Sequence, residues 1–222
     1  MSIAPSVPKP REPFSSSPRS IAERRLVLDG VSWATYGRLV TELERGGIRL
    51  AYDQGRLEIM SPSFLHEIRK RQLGRMIEIL AEELDLEIVG GGSTTFRRED
   101  AKRGLEPDEC YWLASALAIS QQREIDLATD PPPDLAIEVD LTSNSLNKQP
   151  IYASLRIPEV WRYDGRNLEV LRLAADGGYA AAERSLSFPG IPLSSLLRFL
   201  ERRQSVGERQ WTREFRDWIR SL

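Results

Sequence analysis

One charge inside an apolar run constrains this chain more than any other feature: Glu138 sits within Leu135, Ala136, Ile137 and Val139. A carboxylate in such a strand is costly unless it is paired or bound to a metal. Side chains alternate at period two, so Asp134, Glu138 and Asp140 fall on one face. A strand with one polar edge turned to water would give the same pattern, and the rest of the sequence has to separate the two readings.

The flanking segments supply a layered framework. A short strand is predicted at 25–28, then a helix over 32–45 that Gly46 and Gly47 terminate. Segments 48–52 and 56–60 flank Asp53-Gln54-Gly55 and read as a hairpin. The strongest helix follows, with Ser61 as its cap, Pro62 in its first turn, and Leu73, Met76, Ile77, Leu80 and Leu84 at helical spacing. His66 lies seven residues before Leu73, so it shares the buried face near the helix start. Further strands are expected at 87–89, 94–97, 106–113, 135–139, 159–163, 168–173 and 179–182, with a helix at 151–155 between them. Two amphipathic helices close the chain, the second with Trp211, Phe215, Trp218, Ile219 and Leu222 on one face. This order implies an α/β or α+β fold, a mixed β-sheet core flanked by helices.

Residues 1–20 carry five prolines among serines and read as a disordered arm. The core is expected over 21–203, with 204–222 as a C-terminal amphipathic helix. With 31 Lys and Arg against 33 Asp and Glu, the net charge of −2 excludes a globally basic nucleic-acid-binding protein. A local basic groove stays possible around Arg69, Lys70, Arg71 and Arg75, or Arg97, Arg98, Lys102 and Arg103, although such runs are commonly solvated faces. The lone Cys110 rules out an intrachain disulfide and reads as a small core residue. No run approaches the roughly 18 apolar residues of a membrane span, and no signal peptide is legible, so a cytoplasmic location is expected.

Cleaving a phosphodiester builds negative charge on phosphate oxygens and on the leaving alkoxide, and divalent metal held by carboxylates commonly neutralises it. Asp108, after Pro107 and near a strand, together with Glu138 and Asp140, offers such an oxygen cage for Mg2+, with Mn2+ able to substitute. Lys148 opens the following helix ten residues beyond Glu138, from where its stem could return an ammonium to the strand end. As a helix-opening residue it is expected to be partly exposed. Gly90-Gly91-Gly92 lacks the lysine of a phosphate loop and reads as loop glycines, while Ser143 and Ser145 lack the context of a serine nucleophile.

The stretch PPPDLAIEVDLTSNSLNKQPIYASLRIPEVWRYDG, with YDQGRLEIMSPSFLHE and EPDECYWL upstream, resembles the Uma-two family of restriction-endonuclease-like proteins, a branch of the PD-(D/E)XK nucleases. The resemblance spans about residues 30 to 173. It implies that Pro107-Asp108 and Glu138 fill the first two elements of the signature. Asp140 stands where that signature has lysine, and Lys148 in the SLNK segment is the candidate replacement. His66 falls on a histidine typical of the family's first core helix, able to reach a metal-bound water or a carboxylate, or to serve as a satisfied core histidine. The resemblance implies an Mg2+-dependent endonuclease acting on nucleic acid, DNA in the first instance, and a homodimer, which the aromatic face of the last helix also suggests. The departure at Asp140 keeps a second reading open, a catalytically inactive binding module for nucleic acid or protein.

Overall fold

The computed structural model describes residues 23–43, 47–142 and 146–222. The proline-rich arm and the serines at 143 and 145 lie outside them, as do residues 44–46, where the sequence predicts the end of the first helix. Within them the chain forms two sheets instead of one. The first has the order β1-β3-β2-β6-β5, with β1 Arg24–Leu28, β2 Arg49–Asp53, β3 Arg56–Ser61, β5 Phe96–Arg98 and β6 Arg103–Leu105, all antiparallel. The second has the order β11-β10-β9-β8-β7-β4, with β4 Val89–Gly90, β7 Glu109–Trp112, β8 Leu135–Val139, β9 Glu159–Tyr163, β10 Leu168–Leu173 and β11 Tyr179–Ala182. It is mixed, because β8 and β9 run parallel while its other pairs are antiparallel. A parallel pair needs a crossover, and the chain supplies it with the short helix α4, Gln149–Ser154.

The β2–β3 hairpin closes as its turn residues require. Asp53 pairs with Arg56, which leaves Gln54 and Gly55 at φ +47° and +104°. Two successive positive φ values give the turn a twist that matches the strands it joins.

Helix α1, Trp33–Leu43, packs Tyr36 against the first sheet, where Tyr36 stacks on Tyr52. Helix α2, Phe64–Glu83, carries the main core on Leu73, Met76, Ile77 and Leu80. Its cap is Ser63, whose hydroxyl accepts from the His66 N–H at 3.1 Å. Ser61, the expected cap, is instead the last residue of β3. The residue before a proline is pushed away from helical backbone angles, and Pro62 holds Ser61 extended.

Two elements escaped the sequence reading, β6 and the four-residue helix α3, Ala116–Ile119. Both are too short for periodicity to register, and β6 carries Gly104, where a Cβ would strike the Tyr36 hydroxyl. Gly91 has a similar packing role, since a Cβ there would meet Trp112 and Cys110. Cys110 itself is fully buried.

The chain ends in α5, Leu193–Arg202, and α6, Glu208–Ile219. Trp211, Phe215 and Ile219 join α2, β8 and α5 in one hydrophobic core, with Trp218 packed at its margin and Leu222 exposed. Arg216 and Arg220 bind Glu83 at the end of α2, and Arg216 also binds Glu82. The aromatic face that suggested self-association therefore covers the protomer's own core. No helix among the described residues is long and apolar enough to cross a membrane.

Candidate active site

Strand β8 sorts its residues between two cores. Leu135, Ile137 and Val139 face α2, whereas Ala136 packs on the opposite side with α4. Glu138 follows Ala136 on that second side and would be an uncompensated charge there. Two residues of the next helix prevent this. The Lys148 ammonium donates to Glu138 Oε2 at 2.7 Å, and the Tyr152 hydroxyl donates to Oε1. Lys148 occupies the cap position of α4 and Tyr152 lies one turn further. The Lys148 side chain is only 13% exposed, so it is more covered than its helix-opening place suggests.

Asp108 enters from the neighbouring strand. Its N–H donates to the Ile137 carbonyl at 3.1 Å, extending the β7–β8 ladder by one residue. Its carboxylate spans two elements, with Oδ2 accepting from the Val139 N–H at 2.7 Å and Oδ1 lying 2.8 Å from His66 Nε2. The other ring nitrogen, Nδ1, lies 2.6 Å from Glu23 Oε1. Glu23, His66 and Asp108 thus form a buried line from the residue before β1 through α2 to the residue before β7.

The charges are set by these contacts. Burial disfavours the imidazolium, but the hydrogen bonds to Asp108 and Glu23 outweigh it and lift the His66 pKa to about 9. Burial would raise the Asp108 carboxyl, yet its bond to His66 holds it below the ordinary aspartate value. Glu138 goes the other way: burial raises it, Lys148 pulls it back, and the nearby charge of Asp108 adds to the rise. Lys148 loses solvation on burial, but Glu138, Asp108 and Glu58 keep it above the ordinary lysine value. It is an ammonium at neutral pH.

The remaining sequence candidates are placed differently. Asp134 accepts from the Leu113 and Ala114 N–H groups at 2.7 and 3.0 Å, which fixes a loop at the far end of β8. Asp140 continues the strand, donating its N–H to Tyr163, and its carboxylate joins Arg25 at 3.1 Å and Arg162 at 3.2 Å. Among the described residues no group of three or more His, Cys, Asp or Glu side chains is arranged to hold a metal ion. Asp108 and Glu138 fit one by their chemistry, being two hard oxygen donors from adjacent strands whose mutual repulsion a cation would relieve. Of the basic runs, Arg98, Lys102 and Arg103 are spent on Asp100, Glu99 and Asp53.

Sequence reasoning missed Glu23, Arg25, Glu58, Tyr152 and Arg162. Arg25 is the hub of this group, bonded to Glu23, Glu58, Asp140 and Thr142. Glu58 in turn accepts from the Leu146 N–H at 2.8 Å, tying the first sheet to the chain just before Lys148. Tyr152 had a usable signal, its four-residue spacing from Lys148. Glu23 and Arg25 had none beyond their own two-residue spacing, because their other partners, His66, Glu58, Asp140 and Thr142, lie far along the chain. A cavity of about 400 Å3 opens beside Glu138, lined by Arg25, Asp140, Lys148, Tyr152 and Arg162 among others.

Among curated proteins none matches this chain. The crystal structure of a putative nuclease belonging to DUF820, from Anabaena variabilis ATCC 29413, superposes with a TM-score of 0.44 at 14% identity, covering 68% of this chain and 90% of that one. The family model Uma2, described as "Putative restriction endonuclease", matches residues 33–202. That span is most of the chain and contains Asp108, Glu138, Lys148 and His66, and the chain belongs to the Uma2 family.

Proposed function

We propose that the protein is a metal-dependent endonuclease that hydrolyses phosphodiester bonds of nucleic acid, DNA in the first instance. The observation that carries this reading is the buried Glu138 carboxylate, held by Lys148 at 2.7 Å with the Asp108 charge beside it. Two buried acids, each matched by a buried cation, cost more than apolar side chains would at the same positions, and such costly clusters of perturbed charges concentrate at functional sites.

In the reaction, water attacks phosphorus, the bond to the leaving oxygen breaks, and that oxygen takes up a proton. Magnesium or manganese bound by Asp108 and Glu138 would supply Lewis-acid polarisation of the phosphate and a more acidic water. Lys148, charged at neutral pH, is a donor and not a base: it orients the attacking water or neutralises a phosphate oxygen. Glu138, as a ligand of that metal held by Lys148 and Tyr152, would stay ionised, and the proton lost by the water would pass to solvent as the leaving oxygen takes one up. His66 holds Asp108 in place through Nε2, and Tyr152 holds Glu138.

The test is cleavage of supercoiled plasmid, linear duplex and RNA by purified protein with Mg2+, Mn2+ or EDTA, beside Glu138→Gln and Lys148→Ala. Metal-dependent cleavage lost in Glu138→Gln is the expected outcome. Nucleic-acid binding with no cleavage under either metal would leave the binding-module reading in its place.

A further inference from the structure

Arg162 lies directly opposite Glu138 in the parallel register of β8 and β9. Both therefore project to the same side of the sheet and into the same cavity. The charged side chains of this cavity differ sharply in what they have left to offer. Arg25 is 5% exposed and divided among three carboxylates, and Lys148 serves Glu138 and the scissile group beside it. Arg162 is 44% exposed. One arm, Nη2, bonds Asp140 Oδ2 at 3.2 Å, while Nη1 reaches Glu169 only at 3.8 Å, beyond hydrogen-bond distance.

Asp140 gives this arrangement its rigidity. Its other oxygen, Oδ1, bonds the buried Arg25 at 3.1 Å, and its N–H belongs to the β8–β9 ladder. The carboxylate is thus fixed from behind and holds the Arg162 guanidinium by one nitrogen, Nη2. A guanidinium so held keeps its remaining donors in a planar fork, which matches two oxygens of a phosphodiester. An isolated surface ion pair would contribute little to stability, and it would not need a buried arginine to anchor its acid.

We propose that Arg162, aimed by Asp140, is a second phosphate-contacting residue of this cavity, seating a phosphodiester group adjacent to the one at Glu138 and Lys148. On this account Asp140, which stands at the expected lysine position, is a positioning residue and not a metal ligand. The inference rests on the nuclease reading for the identity of its ligand, nucleic acid.

The test uses the full chain and a fluorescein-labelled duplex oligonucleotide, with anisotropy read in EDTA and cleavage kinetics read with Mg2+. Arg162→Ala should weaken binding and raise KM by about tenfold or more, the scale of a charge-assisted contact, with kcat within about twofold. Arg162→Lys should recover only part of the loss. Asp140→Asn should weaken binding in the same direction and add nothing in the Arg162→Ala background, which a merely structural acid would not reproduce. Inorganic phosphate should compete weakly with the oligonucleotide in wild type and less in Arg162→Ala.

If the wild type cleaves but Arg162→Ala binds within about twofold of it, the phosphate seat is overturned and the nuclease reading stands. If the wild type binds the oligonucleotide through Arg162 yet cleaves nothing, the seat stands and the nuclease reading falls. No binding and no cleavage by a folded wild type would remove both.

Discussion

Tyr152 lies one helical turn beyond Lys148, and both side chains end on Glu138, one on each carboxylate oxygen. Helical spacing of four residues places such a pair on one face, so a short helix that otherwise bridges two parallel strands also clamps the acid of the strand before it. Lys148 is therefore structural as well as chemical, which changes what its removal should do.

Lys148→Ala should abolish cleavage and also destabilise the protein by about 3 kcal/mol, because it strands Glu138 in the interior. The double variant Glu138→Gln with Lys148→Met should be considerably more stable than Lys148→Ala while remaining inactive. Urea denaturation of the three proteins measures this; equal stability of Lys148→Ala and wild type would mean that Glu138 is solvated in the folded protein.

The line from Glu23 through His66 to Asp108 makes stability depend on alkaline pH. His66 has a folded pKa of about 9 against about 6.5 for an unperturbed histidine. A raised folded value means that the native state holds the proton more tightly, so its contribution is complete below about pH 6.5 and is lost as pH rises toward 9. The loss should be on the order of 3 kcal/mol. Urea midpoints between pH 6 and 9.5 in EDTA should fall across that window, and His66→Gln should flatten the curve.

Metal should stabilise the fold. Mg2+ or Mn2+ at about 100 times its dissociation constant adds about 2.7 kcal/mol if only the native state binds it. Glu138→Gln should remove that gain. Asp108→Asn should remove it too, and should also lower the metal-free melting temperature, because Asp108 accepts from the Val139 N–H and lies against a charged His66. Thermal melts at fixed ionic strength read both effects, and a wild type indifferent to both metals would sink the two-carboxylate site.

The aromatic face of α6 belongs to the protomer. Phe215 is fully buried between Phe199, Trp211 and Trp218. Phe215→Ala should cost about 3–5 kcal/mol, measured as a shift in the urea midpoint independent of protein concentration. A midpoint that instead moves with concentration would assign the face to an interface.

Local chemistry made much of this protein legible. The hairpin at Gln54-Gly55, the long helix with His66 on its buried face, the apolar strand around Glu138 and the closing amphipathic helices each follow from short-range rules of turns, caps and periodicity. Pro107-Asp108 and Glu138 were visible for the same reason, since an acid after a proline or within an apolar run stands out against its immediate neighbours. Tertiary structure alone decided who partners whom. Glu23 and His66 are 43 residues apart, Arg25 and Asp140 115, and Glu58 and Leu146 88. Such contacts leave no periodic trace in the chain, because they depend on how two sheets and a helix are brought together. The same holds for Asp140: its sequence neighbours made it one more acid on the strand, and only the parallel pairing of β8 with β9, with Arg25 arriving from the other sheet, turned it toward two arginines.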